Sequence, residues 1–479
     1  MCTKAKQIRR VLGIFAITGL MLAFAWLALA ADPEPVLVLD IHPDPGVASS
    51  PRYLTGVGGT LFFVADDGTV GDELWKTQGI TTTLVKDIAS GPDPLVPHNL
   101  TEFNGRLYFT ANDGSGTDEE VWVSDGTITG TVLLKDINPT SYSNPSHYTA
   151  SGGSLFFQAS DGVHGYELWK TDGTPDGTVL LKDINPGGGS SSPSILTDVS
   201  GVLYFTAIDG THGEELWKSD GTPEGTVLVK DINPGFADES SIRRLFGFGT
   251  TLFFRANDGI TGDELWISDG STNGTLLVKD INPGLNSSTP DYLEAFNGEV
   301  YFSADDGVSG VELWKSNGTE IGTVRVMDIF SGTGSSIPSN MTTSGGVLYF
   351  SALLPATGRE LWMSNGSEAG TEMVKDINSG MGQSTPLWLT DINGTIFFRA
   401  NDGIYGVELW KSSGTGQSTV MVKDINLGAT GSFPDELALV QNTLFFSADD
   451  GIHGRELWGL YLDGQPPQPI LLYLPVVER

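Results

Sequence analysis

The sequence predicts an all-β protein, a single β-propeller of about nine four-stranded blades. Three observations predict it: an evenly spaced tryptophan, strand-length apolar segments between tight turns, and one strand displaced from the end of the array to its beginning. The tryptophan recurs every 47–49 residues along most of the 479-residue chain, at Trp75, Trp122, Trp169, Trp217, Trp266, Trp314, Trp362, Trp410 and Trp458. Such a regular period indicates a repeat architecture rather than several unrelated domains.

Each repeat contains four short apolar segments. In one clear copy they begin at Leu196, Val202, Glu215 and Thr226, and the last three run to Ala207, Lys218 and Ile232. Asp-Gly pairs separate the second, third and fourth segments, where they favour tight hairpins. The connection to the next repeat is longer and rich in Asn, Pro, Gly and Ser. Three short turns and one long crossing indicate a propeller blade.

The two ends of the array are complementary. The last copy has a second strand (Leu444–Ala448) and a third (Glu456–Trp458) but no fourth. An extra strand, residues 36–41, precedes Trp75, the first tryptophan of the repeated series. We therefore expect this N-terminal strand to join the last blade and close the ring, which removes an exposed sheet edge. Nine blades exceed the usual count of about four to eight. Two smaller rings would need a second closure point, and the even spacing shows none.

Composition narrows the classes of function. The net charge is −33, and the only cysteine is Cys2. Positions 1–30 hold four basic and no acidic residues, so the remainder carries 22 basic and 59 acidic residues, a net charge of −37. Such a surface repels nucleic-acid phosphates and anionic lipids. We expect a monomer with no nucleic-acid partner, whose acidity serves solubility or, alternatively, binds divalent cations.

The N-terminus predicts an export signal. A basic stretch from Lys4 to Arg10 precedes the apolar residues 11–30, and Ala28 and Ala30 fit the A-x-A pattern for cleavage after Ala30. We expect a signal peptide and a mature protein that is secreted or at the cell surface. The apolar stretch is also just long enough to span a bilayer. An uncleaved leader is the one case in which we expect membrane association.

The propeller is expected to occupy residues 35–460, and residues 461–479 are expected to form a linker and an apolar tail. The linker is Asp463–Pro467, and the tail, Ile470–Val477, is too short to cross a membrane as a helix. The tail would pack against the ring as a strand or act in export or surface attachment, and the sequence does not decide between these roles.

The repeated words resemble those of the bacterial ELWxxDGT repeat family. Glu167–Thr174 and Glu215–Thr222 match its name pattern in full, and the resemblance covers nearly all of residues 35–460. Other copies depart from it, as where Asn317 and Asn365 replace the Asp. The resemblance implies an exported repeat protein and no established enzymatic activity.

One candidate metal site repeats along the chain. The loop D-G-x-x-G-x-E places two carboxylates six residues apart across a hairpin, where oxygen ligands could chelate calcium. The pairs are Asp161 and Glu167, Asp209 and Glu215, Asp258 and Glu264, Asp306 and Glu312, Asp402 and Glu408, and Asp450 and Glu456. The alternative is structural: the Asp closes its own turn and the Glu lies on a strand face. No cofactor is required by the sequence.

The candidate ligand site lies where the copies differ. In a propeller the first strand lines the central channel. Its variable position holds Tyr53, Asn99, His147, Ile195, Arg244, Tyr292, Asn340, Trp388 and Glu436. We single out Tyr53, His147, Arg244, Tyr292, Trp388 and Glu436 as channel residues that could bind a ligand. The alternative is that these side chains are merely solvated.

Two functions follow from this pattern. The first is an exported, non-enzymatic binding or scaffold protein with an extracellular ligand, either a glycan or a protein. The second is a secreted carbohydrate-active propeller enzyme with carboxylates in the channel, for which the sequence offers Asp291, Glu294, Asp435 and Glu436. A residue repeated in every blade is not expected to be catalytic, because catalysis needs different groups around one reacting atom.

Overall fold

Nine antiparallel sheets of four strands each make up the fold, which confirms the predicted all-β propeller. A computed structural model describes residues 32–79, 81–89, 96–114, 119–234 and 240–464. Within these ranges the only helix is a 3-10 turn at Glu368–Gly370. No helix among the described residues is long and apolar enough to cross a membrane. The predicted signal peptide and the apolar tail lie outside the described residues.

The first and second strands of the blades alternate along the chain. The first strands are β2 (Arg52–Val57), β6 (His98–Phe103), β10 (Ser146–Ser151), β14 (Ser194–Val199), β18 (Arg243–Phe248), β22 (Asp291–Phe296), β26 (Ser339–Ser344), β30 (Leu387–Ile392) and β34 (Asp435–Val440). The second strands are β3 (Thr60–Asp66), β7 (Arg106–Ala111), β11 (Ser154–Ser160), β15 (Val202–Ile208), β19 (Thr251–Asn257), β23 (Glu299–Asp305), β27 (Val347–Leu354), β31 (Thr395–Asn401) and β35 (Thr443–Asp449).

The third and fourth strands complete each sheet. The third strands are β4 (Asp72–Thr77), β8 (Glu120–Ser124), β12 (Tyr166–Thr171), β16 (Glu214–Ser219), β20 (Asp263–Ser268), β24 (Val311–Ser316), β28 (Gly358–Ser364), β32 (Val407–Ser412) and β36 (Arg455–Tyr461). The fourth strands are β5 (Thr82–Lys86), β9 (Val132–Lys135), β13 (Val179–Lys182), β17 (Val227–Lys230), β21 (Leu276–Lys279), β25 (Val324–Met327), β29 (Thr371–Lys375) and β33 (Val420–Lys423), with β1 (Val36–Leu39) in the ninth blade.

The ring closes through the N-terminal strand, as predicted. The ninth sheet has the order β1-β36-β35-β34, and Leu37 pairs with Trp458 across it. The fourth strand of the last blade therefore comes from the opposite end of the repeat array. Closure leaves no blade without its outer strand, so the edge of β36 is covered rather than open to pairing with another chain.

The hydrophobic core is divided among the nine interfaces between blades. At one interface Phe156 and Leu168 of the third blade pack with Phe205 and Trp217 of the fourth, and all four are at least 94% buried. The same arrangement joins the ninth blade to the first, where Leu457 packs with Trp75. The repeated tryptophan thus fills the gap between neighbouring blades, where a large aromatic side chain contributes more buried apolar area than any other residue.

Strand boundaries differ from the sequence prediction in a consistent way. The first strand of the fourth blade begins at Ser194 rather than Leu196, and the fourth strand ends at Lys230 rather than Ile232. The early end has a clear cause: the Ile232 N–H donates to the Glu215 carboxylate instead of continuing the strand ladder. In the ninth blade β1 likewise ends at Leu39, because the Ile41 N–H donates to Glu456. In both blades the strand therefore ends before the residue whose N–H donates to the carboxylate.

Candidate functional site: the central channel

The first strands of the nine blades surround the axis of the ring. Each contacts the first strands of the two neighbouring blades, and the series returns from β34 to β2. Residues that point away from the sheets on this side therefore face a central channel. This places the variable position of the sequence where it was expected.

The variable residue of every first strand has a left-handed backbone. Its φ lies between 52° and 60° at Tyr53, Asn99, His147, Ile195, Arg244, Tyr292, Asn340, Trp388 and Glu436. A residue with a Cβ in this region costs about 1–2 kcal/mol, and only Asn or Asp adopts it readily. Seven of the nine residues belong to neither type. The strained backbone is therefore repeated around the whole channel, and most of the residues that adopt it are of types that disfavour a positive φ.

A β-bulge produces this conformation. In the first blade Arg52 pairs with Val64, but the next pair along the strand is Thr55 with Phe62, so the first strand carries one extra residue. The same shift occurs in all nine blades. A bulge of this kind usually has glycine at its left-handed residue and re-aims the local side chains. Here the nine bulge residues are of seven types.

A threonine two residues further on supports the bulge in five blades. The Thr55 hydroxyl donates to the Tyr53 carbonyl at 2.9 Å, and the Thr390 hydroxyl donates to the Trp388 carbonyl at 3.1 Å. Thr101, Thr149 and Thr197 make the same bond. The bond satisfies a carbonyl that the bulge removes from the ladder, so the strained geometry is held by the sequence around it.

Two cavities meet at Trp388. One, of about 330 Å³, is lined by Tyr53, Asn99, Trp388 and Glu436 together with neighbouring residues of their strands. The other, of about 510 Å³, is lined by Asn340, Met341, Trp388 and Arg399 among others. Trp388 is 45% exposed and Tyr53 is 41% exposed. Exposed aromatic rings beside amide and charged groups are typical of ligand sites.

A third cavity lies on another part of the ring. It measures about 220 Å³, and Arg244, Asp291 and Tyr292 are among its lining residues. Arg244 Nε donates to Asp291 Oδ1 at 2.6 Å, so the two charges of this cavity compensate each other. The structure thus brings Tyr53, Trp388 and Glu436 together and Arg244 and Tyr292 together. His147 has the same bulge position, and burial lowers the pKa of its imidazole.

All four channel acids considered for catalysis are bound to protein partners, two of them in ion pairs. Asp291 is paired with Arg244, and Asp435 Oδ1 accepts from Arg399 at 3.1 Å. Glu294 accepts from the Thr343 N–H at 3.1 Å. Glu436 Oε2 accepts from the Leu54 N–H at 3.0 Å and makes no ion pair among the described residues. Burial raises the pKa of both Glu294 and Glu436.

The glutamates of the candidate calcium loops hold adjacent blades together. Glu167 accepts from the Ile184 N–H of its own blade at 2.8 Å, and from the Ser191 N–H and hydroxyl, which lead into the next blade, at 2.9 and 2.6 Å. We call this arrangement the glutamate clamp. The bond to an isoleucine N–H of the same blade is repeated by Glu73, Glu120, Glu215, Glu264, Glu312, Glu360, Glu408 and Glu456. The bond to a serine hydroxyl that leads into the next blade is repeated by Glu120, Glu264, Glu312, Glu360, Glu408 and Glu456. Each of these side chains is at most 2% exposed.

The aspartates of these loops close their own turns. Asp209 Oδ1 accepts from the N–H groups of Thr211 and His212, and its other oxygen contacts the His212 imidazole at 2.7 Å. Burial opposes ionisation, but the bonds from His212 and Thr211 hold the pKa of Asp209 at about 2. Asp161, Asp258, Asp306, Asp402 and Asp450 accept from the same two backbone positions.

Both members of each carboxylate pair thus have protein donors. Throughout the described ranges no three His, Cys, Asp or Glu side chains lie together so as to hold a metal ion. Calcium at these loops stays a prediction, and an ion would have to replace the N–H bonds that Glu167 and its equivalents accept.

Two parts of the site were not predicted. In five blades the serine of the clamp belongs to a Ser-x-Pro motif that lies 24 residues after the glutamate, as in Ser191–Pro193 and Ser288–Pro290. That fixed spacing is a signal in the sequence. Arg399 and Met341 also line the channel cavity, but they occupy other strand positions and no spacing distinguishes them.

Comparison with known proteins finds only distant likenesses among solved structures. No protein-family model and no curated protein sequence matches the chain. Among solved structures, a computationally designed protein, Ika8, aligns over 87% of this chain and 97% of its own, with 16% identity and a TM-score of 0.42. A prolyl endopeptidase aligns with 11% identity and a TM-score of 0.41, and a puromycin-hydrolyzing peptidase of Mycobacterium tuberculosis with 10% and 0.38. The chain spans 54% and 60% of the lengths of these two peptidases.

Proposed function

We propose that this chain is an exported, non-enzymatic binding or scaffold protein of the ELWxxDGT type that holds an extracellular ligand in its central channel. The observation that carries the proposal is the ring of nine bulge residues, all with positive φ and nearly all of different type. Backbone strain persists where the surrounding structure imposes it, and it is concentrated at binding sites. The nine bulge residues thus share one backbone conformation but carry side chains of different chemistry.

The position of the strain distinguishes a binding surface from an idle channel wall. A wall that only faces solvent gains nothing from left-handed Trp, Tyr or Ile, because glycine or asparagine would fit the bulge at lower free energy. Trp388, Tyr53 and Tyr292 nevertheless expose 41–45% of their surface at this position. Each of these residues has two unfavourable contributions to its free energy, the exposure of an apolar ring to water and the positive φ of its backbone. Contact with a ligand would offset them.

Export is supported by sequence features rather than by the ring. The basic stretch, the apolar stretch and the A-x-A site of the first 30 residues form a signal peptide pattern. The rest of the chain has no cysteine and a large net negative charge, which suits a soluble protein outside the cell. The partner is therefore an extracellular glycan or protein segment, and the protein acts as a monomer.

The test is binding to glycan and peptide arrays by the mature protein, with two variants at equivalent positions. Trp388→Ala removes the ring shared by the two largest of the described cavities, and Ile195→Ala changes the same bulge position on the fourth blade. We expect Trp388→Ala to reduce array binding at least tenfold and Ile195→Ala to leave it within about twofold. No binding of any class, or equal losses in both variants, would contradict the proposal.

A second candidate function rests on Glu436. Burial raises the pKa of this carboxyl, and a general acid in a carbohydrate-active enzyme needs a carboxyl whose pKa is raised in this direction. Glycoside cleavage needs a second carboxylate, and the neighbouring Asp435 is paired with Arg399. Incubation of the protein with glycans that it binds would test this function. Product release that disappears in Glu436→Gln would establish it, and binding without turnover would exclude it for those glycans.

A further inference from the structure

The cavity between the eighth, ninth, first and second blades combines two aromatic rings with one carboxylate. Trp388 and Tyr53 line it from the blades on either side of the ninth, and Glu436 lies on the ninth blade between them. The two rings expose 45% and 41% of their surface. Aromatic faces attract cations through the ring quadrupole, and several aromatic groups around one point form the cage that recognises quaternary ammonium.

The charges around this cavity favour a positive ligand. Two guanidinium groups lie near, but Arg52 is paired with Asp72 at 2.8 Å, and Arg399 is paired with Asp435 at 3.1 Å. Glu436 makes no ion pair in the described part of the chain, and its hydrogen bonds come from the uncharged N–H groups of Leu54 and Tyr53. It is thus the carboxylate of this cavity without a salt-bridge partner among the described residues, and the charge of Arg52 acts on it only from a greater distance. The large negative charge of the whole protein adds to the attraction for cations.

The Tyr53 ring already has one cationic neighbour. The Arg52 guanidinium lies 6.0 Å from the centre of the ring. This contact occupies part of the ring, and the salt bridge to Asp72 limits the repulsion that Arg52 would exert on a second cation. The exposed part of Tyr53, together with Trp388, remains for a ligand.

A natural control is present in the same molecule. Tyr292 has the same bulge conformation as Tyr53, with φ of 55° against 59°, and the same 41% exposure. Its cavity differs in charge, because Asp291, a carboxylate of that cavity, is paired with Arg244. The two tyrosines therefore separate the effect of an aromatic ring at the bulge from the effect of a carboxylate beside it that has no salt-bridge partner.

We infer that the cavity of Trp388, Tyr53 and Glu436 binds a methylated ammonium group, carried either by a choline-type molecule or by a trimethylated lysine side chain. This inference rests on the proposed channel-binding function and specifies the chemistry of its ligand. The ammonium contacts the faces of Trp388 and Tyr53, and the Glu436 carboxylate supplies the opposite charge. The cavity volume of about 330 Å³ leaves room for the chain to which the ammonium is attached.

The test is calorimetric titration of the mature protein with choline and with its neutral carbon analogue, 3,3-dimethylbutan-1-ol. The two molecules have nearly the same shape, so a difference measures the charge. We expect saturable choline binding that is at least tenfold tighter than binding of the alcohol. Equal binding of the two would overturn the ammonium assignment, and so would the absence of choline binding together with no preference for a trimethyl-lysine peptide over its unmodified form.

Variants assign the effect to this cavity. Glu436→Gln keeps an acceptor for the Leu54 N–H and removes the charge, and we expect it to weaken choline binding at least tenfold. Tyr53→Ala and Trp388→Ala should weaken it similarly, whereas Tyr292→Ala should leave it within about twofold. An equal loss in Tyr292→Ala would contradict the assignment. Array binding that persists with no ammonium preference would leave the proposed function standing and reject only this inference.

Discussion

Two sets of residues in this ring are opposite in character. The clamp glutamate is present in all nine blades, is at most 2% exposed, and accepts from an isoleucine N–H of its own blade, as Glu167 does from Ile184. The bulge residue varies from blade to blade, faces the channel and has a positive φ throughout. The repeated glutamate is therefore a residue that every interface between blades needs, whereas the variable bulge residues are not needed by these interfaces. A search for the binding residues should begin with the second set.

A change of pH acts on all nine clamps at once and is expected to have the largest effect. Burial raises the pKa of every clamp carboxyl, to about 7 in Glu73, Glu120, Glu215 and Glu264. A raised folded-state pKa gives stability that is complete below the unfolded value and is lost as pH rises through the folded value. We expect the free energy of unfolding to decrease between about pH 5 and pH 8.

Urea unfolding at a series of pH values measures this slope. The loop aspartates do not contribute in that window, because the pKa of Asp209 is held at about 2 and its stabilisation is lost only in acid. Glu264→Gln removes one titrating clamp and should flatten the slope. A free energy of unfolding that stays level or rises over this window would show that the clamp carboxyls do not titrate in it, and would contradict the expected decrease.

The next largest effect is expected from removing one clamp. Glu264→Ala leaves the N–H groups of Ile281 and Ser288 buried without their acceptor. We expect the free energy of unfolding to fall by about 3–5 kcal/mol, and by less in Glu264→Gln, which keeps one acceptor oxygen. Chemical denaturation measures both. A loss under about 1 kcal/mol in the alanine variant would remove the structural role given to the clamp.

A smaller effect should come from the strained position itself. Ile195 is β-branched with a φ of 52°. We expect Ile195→Gly to be more stable than Ile195→Ala by about 1 kcal/mol, because only glycine adopts this conformation without a Cβ clash. Thr197, two residues along the strand, serves as the control, where the glycine variant should be the less stable one. The opposite order at Ile195 would mean that the bulge is not strained.

The smallest effect on stability should come from a bulge residue that we assign to binding. Trp388→Ala removes a large but 45% exposed ring, and we expect the free energy of unfolding to change by no more than about 1 kcal/mol while ligand binding is lost. Thermal unfolding measures the first quantity. A loss as large as that in Glu264→Ala would place Trp388 with the structural residues and break the comparison.

The architecture could be predicted from the sequence because the same pattern of strands and turns occurs in nine copies. The spacing of the tryptophans, the hairpin Asp-Gly pairs and the displaced N-terminal strand led to the number of blades and the mode of closure. The variable position lies on the first strands, which contact one another around the ring, and ligand binding by its residues stays a prediction. These features depend on local turn chemistry and on periodicity, which a single chain displays.

The backbone of the site was beyond prediction. Tyr53, Ile195 and Trp388 are residues that favour extended strands, and nothing about them indicates a left-handed bulge. The bulge follows from an extra residue in the pairing with the second strand, which is a tertiary property. The role of Glu167 was equally hidden, because a carboxylate six residues from an aspartate also fits a metal site until its hydrogen-bond donors are known.

Closure by β1 has a consequence for the order of folding. Leu37 and Trp458 pair across the ninth blade although 421 residues separate them, whereas the other blades pair strands that adjoin in sequence. Local hairpins form first, and the pairing with the highest contact order forms last, because it carries the largest loop-closure entropy. A chain still in synthesis can complete eight blades but not the ninth. We therefore expect the last blade to keep an open edge until β1 pairs with it, and that edge is where one folding chain could pair with another.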